Sequence, residues 1–115
     1  MTHPERWAAD AGAGDVAQLE IPADSGRNRT FEIACSFEVR HLGVGSGAWH
    51  ELKVLVDGAL QWSRRVPTQP GAGDSLDVRF RRTVPSGQPL RLVASGQVHH
   101  AVRQRLVITA DEHTD

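Results

Sequence analysis

Four histidines are the residues best suited by type to bind a metal ion or to move a proton. They are His41, His50, His99 and His100. The pair His50-Glu51 could begin a His-Glu-x-x-His zinc motif, but Val54 stands where the second histidine is required. Adjacent histidines such as His99 and His100 point to opposite faces of a strand. Because zinc requires three or four convergent ligands, we expect solvated loop histidines, and a metal-dependent enzyme is a remote alternative.

No other set of residues has the spacing of a catalytic site. Glu32 and Glu38 share one face of a predicted strand, but they lie about 20 Å apart at roughly 3.3 Å per residue. That exceeds the limit of about 10 Å for a pair of glycosidase carboxylates. The glycine-rich segment 43–47 precedes a predicted strand, whereas a phosphate-binding loop leads into a helix. We therefore predict a protein that is not an enzyme and has no cofactor.

The segment 48–66 predicts a β-hairpin in one of two registers. Apolar, β-branched residues surround Asp57-Gly58, a pair typical of hairpin turns. A three-residue turn would pair Leu52 with Trp62, and a two-residue turn would pair Leu52 with Ser63. We favour the three-residue turn, because it places the apolar residues on one face of the hairpin.

The register decides whether the tryptophans can bind a ligand. With the two-residue turn, Trp49 and Trp62 would share an exposed face near Arg64. Such a face could stack against a sugar or bind a polyanion, which is the alternative function that we consider. With the favoured turn, Trp62 enters the core and this platform is lost.

Arginines occupy many of the predicted outward positions on the strands. Four could form a cationic patch for an acidic or phosphate-bearing partner: Arg79, Arg91, Arg103 and Arg105. In the alternative, they pair with carboxylates on neighbouring strands, each pair contributing about 0.2–1 kcal/mol. We favour the pairs, because the formal net charge is −1. For the same reason, nucleic acid is not an expected partner.

Period-two alternation predicts strands along most of the chain. In the clearest case, segment 30–40, one face carries Phe31, Ile33, Cys35, Phe37 and Val39. In the last strand, Val102, Leu106 and Ile108 are predicted inward, with Arg103 and Arg105 outward. Turn clusters every 8 to 12 residues separate such runs. The pattern predicts an all-β fold, an antiparallel β-sandwich of about seven short strands of the immunoglobulin or fibronectin type.

Domain boundaries and partners follow from composition. We expect a disordered N-terminal arm over residues 1–14, one sandwich domain over 15–110 and a frayed C-terminus over 111–115. The lone cysteine, the lack of a signal-peptide pattern and the short apolar runs predict a cytoplasmic protein without membrane contact.

The function predicted from these features is that of a non-enzymatic binding or assembly module. It would act through an exposed sheet face, an edge strand or a loop cluster. Its partner would be another protein, a small ligand such as a sugar, or a second copy paired through edge strands.

Overall fold

The computed structural model describes residues 3–43, 45–71 and 73–113, and all of its regular elements are β-strands. The eight strands are β1 (Arg6–Asp10), β2 (Val16–Ile21), β3 (Arg29–His41), β4 (Trp49–Val56), β5 (Ala59–Pro67), β6 (Asp74–Val84), β7 (Leu90–His99) and β8 (Ala101–Glu112). No helix occurs in these ranges, and therefore none that could cross a membrane.

The strands form two antiparallel sheets that pack face to face. Sheet A has the order β1-β8-β3-β6, and sheet B has the order β2-β7-β4-β5. This pairing is that of a jelly roll, in which successive strands lie in different sheets except for the central β4–β5 hairpin. The predicted all-β antiparallel sandwich is confirmed.

Two details of the predicted fold are wrong. The described residues form eight strands instead of seven, because β1 lies in the segment predicted to be a disordered arm. The order is also not that of an immunoglobulin domain, whose first two strands share a sheet. Here β1 and β2 lie in different sheets. Alternation reports which face of a strand is buried, but it carries no information on strand order.

The core lies between the sheets and is built from one face of each strand. All five inward residues predicted in β3 are buried, with Phe31 and Phe37 fully so. They meet leucines of the opposite sheet, such as Leu90 and Leu92 in β7. Period-two alternation thus gives each central strand one face for the core and one for solvent.

The chain ends are held by a cluster of charged residues. Arg29 has a 1% exposed side chain and donates to Glu5, 3.0 Å away, while Arg27 contacts both Glu5 and Glu112. Strand β1 pairs with β8 beside this cluster. The predicted flexible arm is therefore wrong for residues 6–10, and the predicted fraying is wrong for residues 111–112. Residues 1–2 and 114–115 lie outside the described ranges.

The hairpin between β4 and β5 follows neither predicted register. Its turn is the two-residue Asp57-Gly58, with φ of 50° and 84°, so the favoured three-residue turn is wrong. Leu55 pairs with Leu60, but Val54 then pairs with Trp62, which leaves Gln61 as an extra residue in a β-bulge. The bulge turns Trp62 toward the core. Trp62 thus faces the core as predicted, but because of the bulge and not because of a three-residue turn.

A second bulge changes the direction of residues at the start of β8. Glu38 pairs with Arg105, but Val39 pairs with Arg103, so that Gln104 is extra. Arg103 therefore lies on the inner side, where its Nε donates to the carbonyl oxygen of Gly96 at 2.8 Å. Its predicted outward position is wrong, and so is the inward position predicted for Val102, which pairs with the exposed Arg40.

Candidate functional site

Trp49 begins β4 on the outer face of sheet B. It pairs with Pro67 of β5 and with His99 of β7, and it is partly exposed. Its outward direction follows from the alternation of β4, in which the next residue, His50, is buried. The strands on both sides therefore supply the surroundings of the indole ring.

Three side chains pack in a row with this indole. The guanidinium carbon of Arg65 lies 3.7 Å from the centroid of the Trp49 ring. The His99 ring stacks on Trp49 with centroids 5.7 Å apart and planes 18° apart, and His100 lies 4.1 Å from His99. We call Arg65, Trp49, His99 and His100 the Trp49 cluster. Because Arg65 comes from β5 and His99 from β7, the indole is flanked on both sides.

Positive side chains outnumber carboxylates beside the cluster. Arg65 donates through Nε to Glu51 at 3.3 Å, and the Nζ of Lys53 lies 3.8 Å from the same carboxylate. Two cations thus share one anion. Neither terminal nitrogen of Arg65 makes a hydrogen bond within the described residues. The stack and the Glu51 bond hold the guanidinium in place, while its outer edge remains available for an anion.

A shallow groove of about 290 Å³ adjoins the cluster at the edge of sheet B. It is lined by Gly47, Ala48, Trp49, Arg65, Val66 and Pro67. Apart from Arg65, these residues offer apolar or backbone surface. The groove can therefore hold an apolar group next to the free edge of a guanidinium.

The loops that carry His41 and His99 meet at this end of the sandwich. His41 pairs with Ala101, and the backbone N–H of Leu42 donates to the His100 carbonyl at 3.1 Å. The side chain of Leu42 is 52% exposed. Two connections thus contribute surface next to the Trp49 cluster. Val44, in the glycine-rich segment, lies outside the described residues.

The four candidate histidines do not converge on a common point. His50 is fully buried, and its Nδ1 lies 2.8 Å from Thr68 Oγ1, so the prediction of a solvated loop histidine is wrong there. His41 accepts a hydrogen bond from the backbone of Gly43. Across residues 3–43, 45–71 and 73–113, no three His, Cys, Asp or Glu side chains are grouped as metal ligands.

The predicted tryptophan platform is not formed. Trp62 faces the core from β5, on the side of sheet B opposite to Trp49. Arg64 pairs with the buried Leu52 and is exposed at the sheet edge, away from the Trp49 ring. Of the three proposed ligand-binding residues, only Trp49 lies in the candidate site. Arg65 takes the place that was predicted for Arg64.

The arginine patch is not formed either. Arg79 pairs with Glu32 and Arg105 with Asp10 on the outer face of sheet A. Arg91 lies 3.9 Å from Glu20 on sheet B, which is the other side of the molecule. Together with the inward turn of Arg103, these positions agree with the favoured interpretation of cross-strand pairs.

Sequence reasoning missed Arg65 and Pro67 as site residues. Both lie beyond the bulge at Gln61, which sets the residues of β5 that share a face with Trp49. The two-residue register without a bulge places Arg64 outward, whereas the three-residue register places Arg65 outward but opposite Trp49, not opposite Glu51 as in the structure.

Comparison with known proteins shows similarity of fold alone. No protein-family model matches the sequence, and no curated protein is significantly similar to it. Among solved structures, dimeric latent PorU from Porphyromonas gingivalis matches with a TM-score of 0.64 and 14% identity over 98% of this chain. The mosquito-larvicidal Cry4Aa toxin from Bacillus thuringiensis matches with a TM-score of 0.56 and 10% identity over 90%. This chain spans only 13% and 19% of their lengths.

Proposed function

We propose that this jelly roll is a non-enzymatic recognition module whose binding surface is the Trp49 cluster with its adjoining groove. The observation that carries the proposal is the contact of Arg65 with Trp49 at 3.7 Å. It holds a cation and an aromatic ring together at a partly exposed position. Tryptophan and arginine are the residues most enriched among those that dominate binding energies, especially beside apolar pockets.

The chemistry of the remaining candidates supports binding over catalysis. Burial raises the pKa of the Cys35 thiol to about 12, so it stays protonated and is a poor nucleophile. The buried His50 is hydrogen-bonded to Thr68 and does not reach the groove. A cytoplasmic location belongs to the same proposal, because one buried cysteine gives no sign of an oxidising compartment.

The solved structures with this fold are consistent with a modular role. In PorU and in Cry4Aa, the matching region is a small share of a much longer chain. A fold by itself specifies no function, so the proposal depends on the surface described above.

A binding screen with matched variants tests the proposal. The protein would be applied to a glycan array and to a library of short peptides, as wild type, Trp49→Ala, Arg65→Ala and Arg91→Ala. Arg91 is the control, because it lies on the same sheet face with a nearby glutamate and has a 59% exposed side chain, against 53% for Arg65.

We expect hits that are lost in both cluster variants and kept by Arg91→Ala. Circular dichroism would show that each variant is folded. Hits that all three variants retain equally would show that the binding surface lies elsewhere.

A further inference from the structure

Strand β5 is an open edge of sheet B. Among the described residues it pairs only with β4, and seven of its nine residues are exposed. Backbone N–H and C=O groups along such an edge lack strand partners and can accept another strand. Leu60, on this strand, is 62% exposed. An added strand would cover it.

The charge of β5 distinguishes it from the other edges. It carries Arg64 and Arg65 and has no carboxylate. Of the other edge strands, β1 and β6 carry both signs, and β2 carries only Glu20. Opposite charges on facing positions stabilise a strand pair, and like charges destabilise it. The edge is therefore complementary to an acidic strand.

The position of Arg65 makes this complementarity specific. Its Nε donates to Glu51 and its guanidinium carbon lies 3.7 Å from the Trp49 ring centroid, while its terminal nitrogens have no hydrogen-bond partner among the described residues. A carboxylate that arrives along β5 could accept two N–H bonds from these terminal nitrogens. Since the guanidinium is already held, little side-chain entropy would be lost on binding.

A second copy of this chain fits the same edge poorly. An antiparallel pair of two β5 strands centred on Ser63 would place each Arg64 opposite a Trp62. The two Arg64 side chains would then be diagonal neighbours, within about 8 Å. That arrangement brings the two Arg64 side chains together on one face, without a carboxylate on either strand.

We propose that β5 binds an extended acidic peptide, which adds as a fifth strand to sheet B and places a carboxylate on the terminal nitrogens of Arg65. This inference rests on the proposed function and names the partner of the same surface. Strand addition supplies affinity through the backbone, and Arg65 supplies selectivity for an acidic side chain.

The test uses an acetylated, fluorescent heptapeptide of alternating valine and glutamate. One comparison peptide has lysine in place of glutamate, and another keeps the glutamates but carries N-methyl groups on alternate amides. Anisotropy measures affinity, and amide NMR shifts locate the contact. The protein variants are Arg65→Ala and the control Arg91→Ala.

We expect the acidic peptide to bind, with shifts concentrated in β5 and at Trp49. Arg65→Ala should weaken binding about tenfold or more, as expected for a charged hydrogen bond, while Arg91→Ala should change it less than twofold. The lysine and N-methyl peptides should not bind measurably. Equal binding of the N-methyl peptide would overturn strand addition, and shifts confined to β6 would overturn the choice of edge.

Two further outcomes separate this inference from the function on which it rests. If light scattering shows a dimer and the amide shifts that change on dilution lie in β5, the occupant of β5 is a second copy and the inference is wrong. If the acidic peptide does not bind but Trp49→Ala abolishes another hit of the screen, the inference fails while the proposed function stands.

Discussion

Gly96 lies against the ring of Phe37, so closely that no side chain fits between them. A Cβ atom added to Gly96 would be 2.6 Å from two carbons of that ring. Gly96 is on β7 in sheet B and Phe37 is on β3 in sheet A. A glycine inside a strand normally weakens it, and here the absent side chain makes room for an aromatic ring of the opposite sheet.

Substitution of this glycine should destabilise the fold. For Gly96→Ala we expect a loss of about 1–3 kcal/mol in the free energy of unfolding, because an added methyl overpacks the core. Urea denaturation measures it. Gly73→Ala is the control, since its Cβ would meet no atom nearer than 3.8 Å. Equal unfolding midpoints for both variants would contradict the described packing.

The charged cluster at the chain ends should depend on Glu5. Arg29 is nearly completely buried, and Glu5 is the only carboxylate described as bonded to it. For Glu5→Gln we expect the free energy of unfolding to fall by about 2 kcal/mol. This is less than the roughly 3–5 kcal/mol lost when a fully buried ion pair is broken, because the Glu5 side chain is 24% exposed.

The matched control for Glu5 is Asp111→Asn. It removes the pair with Arg6, whose side chains are 84% and 46% exposed. Exposed pairs contribute about 0–1 kcal/mol, so this variant should unfold almost as the wild type does. Thermal unfolding measures the stability of both variants. A larger loss of stability for Asp111→Asn than for Glu5→Gln would be inconsistent with the structure.

The sequence predicts the burial of central strands well because that information is local. Five alternating residues of β3 define one buried face without reference to any other strand. Strand β1 gave no such signal, since residues 6–10 are half-exposed and include two alanines. Its stability comes from pairing with β8, about a hundred residues away along the chain.

The candidate site was only partly predictable because two bulges reverse the direction of side chains. Extra residues at Gln61 and Gln104 redirect Trp62 and Arg103. A bulge depends on both paired strands, so a single strand does not reveal it. Trp49 could be assigned to the outer face from β4 alone. The favoured three-residue turn also places Arg65 on that face, but only the bulged register places it opposite Glu51.

The two-residue turn should tolerate asparagine at Asp57 better than alanine. Asp57 has φ of 50°, a conformation that asparagine and aspartate adopt more readily than alanine does. Its Oδ1 also accepts the backbone N–H of Arg91 at 3.0 Å, which an asparagine oxygen can replace. We expect Asp57→Ala to lower the free energy of unfolding by about 1–2 kcal/mol, and Asp57→Asn to lower it by less than half of that. Chemical denaturation of both variants provides the comparison, and equal losses would argue against this turn.

His50 should make the fold sensitive to acid. It is completely buried, its Nδ1 lies beside Thr68, and its ring meets that of Phe37 at a centroid distance of 6.3 Å. Burial lowers the pKa of His50 below its ordinary value, against the smaller, opposite influence of Asp74 and of the Ser75 backbone. At a pH between the folded and unfolded pKa values, the unfolded chain therefore binds a proton at His50 and the folded protein does not.

The direction of the pH dependence follows from that difference. Near pH 6.5 the unfolded chain begins to bind the proton, so the free energy of unfolding falls as the pH drops further. The decline due to His50 ends once the folded-state ring is also protonated. In urea titrations between pH 8 and pH 5, His50→Gln should flatten this part of the profile, whereas His3→Gln, at an exposed histidine, should leave it unchanged. A wild-type profile that His50→Gln does not alter would assign the acid sensitivity to other groups.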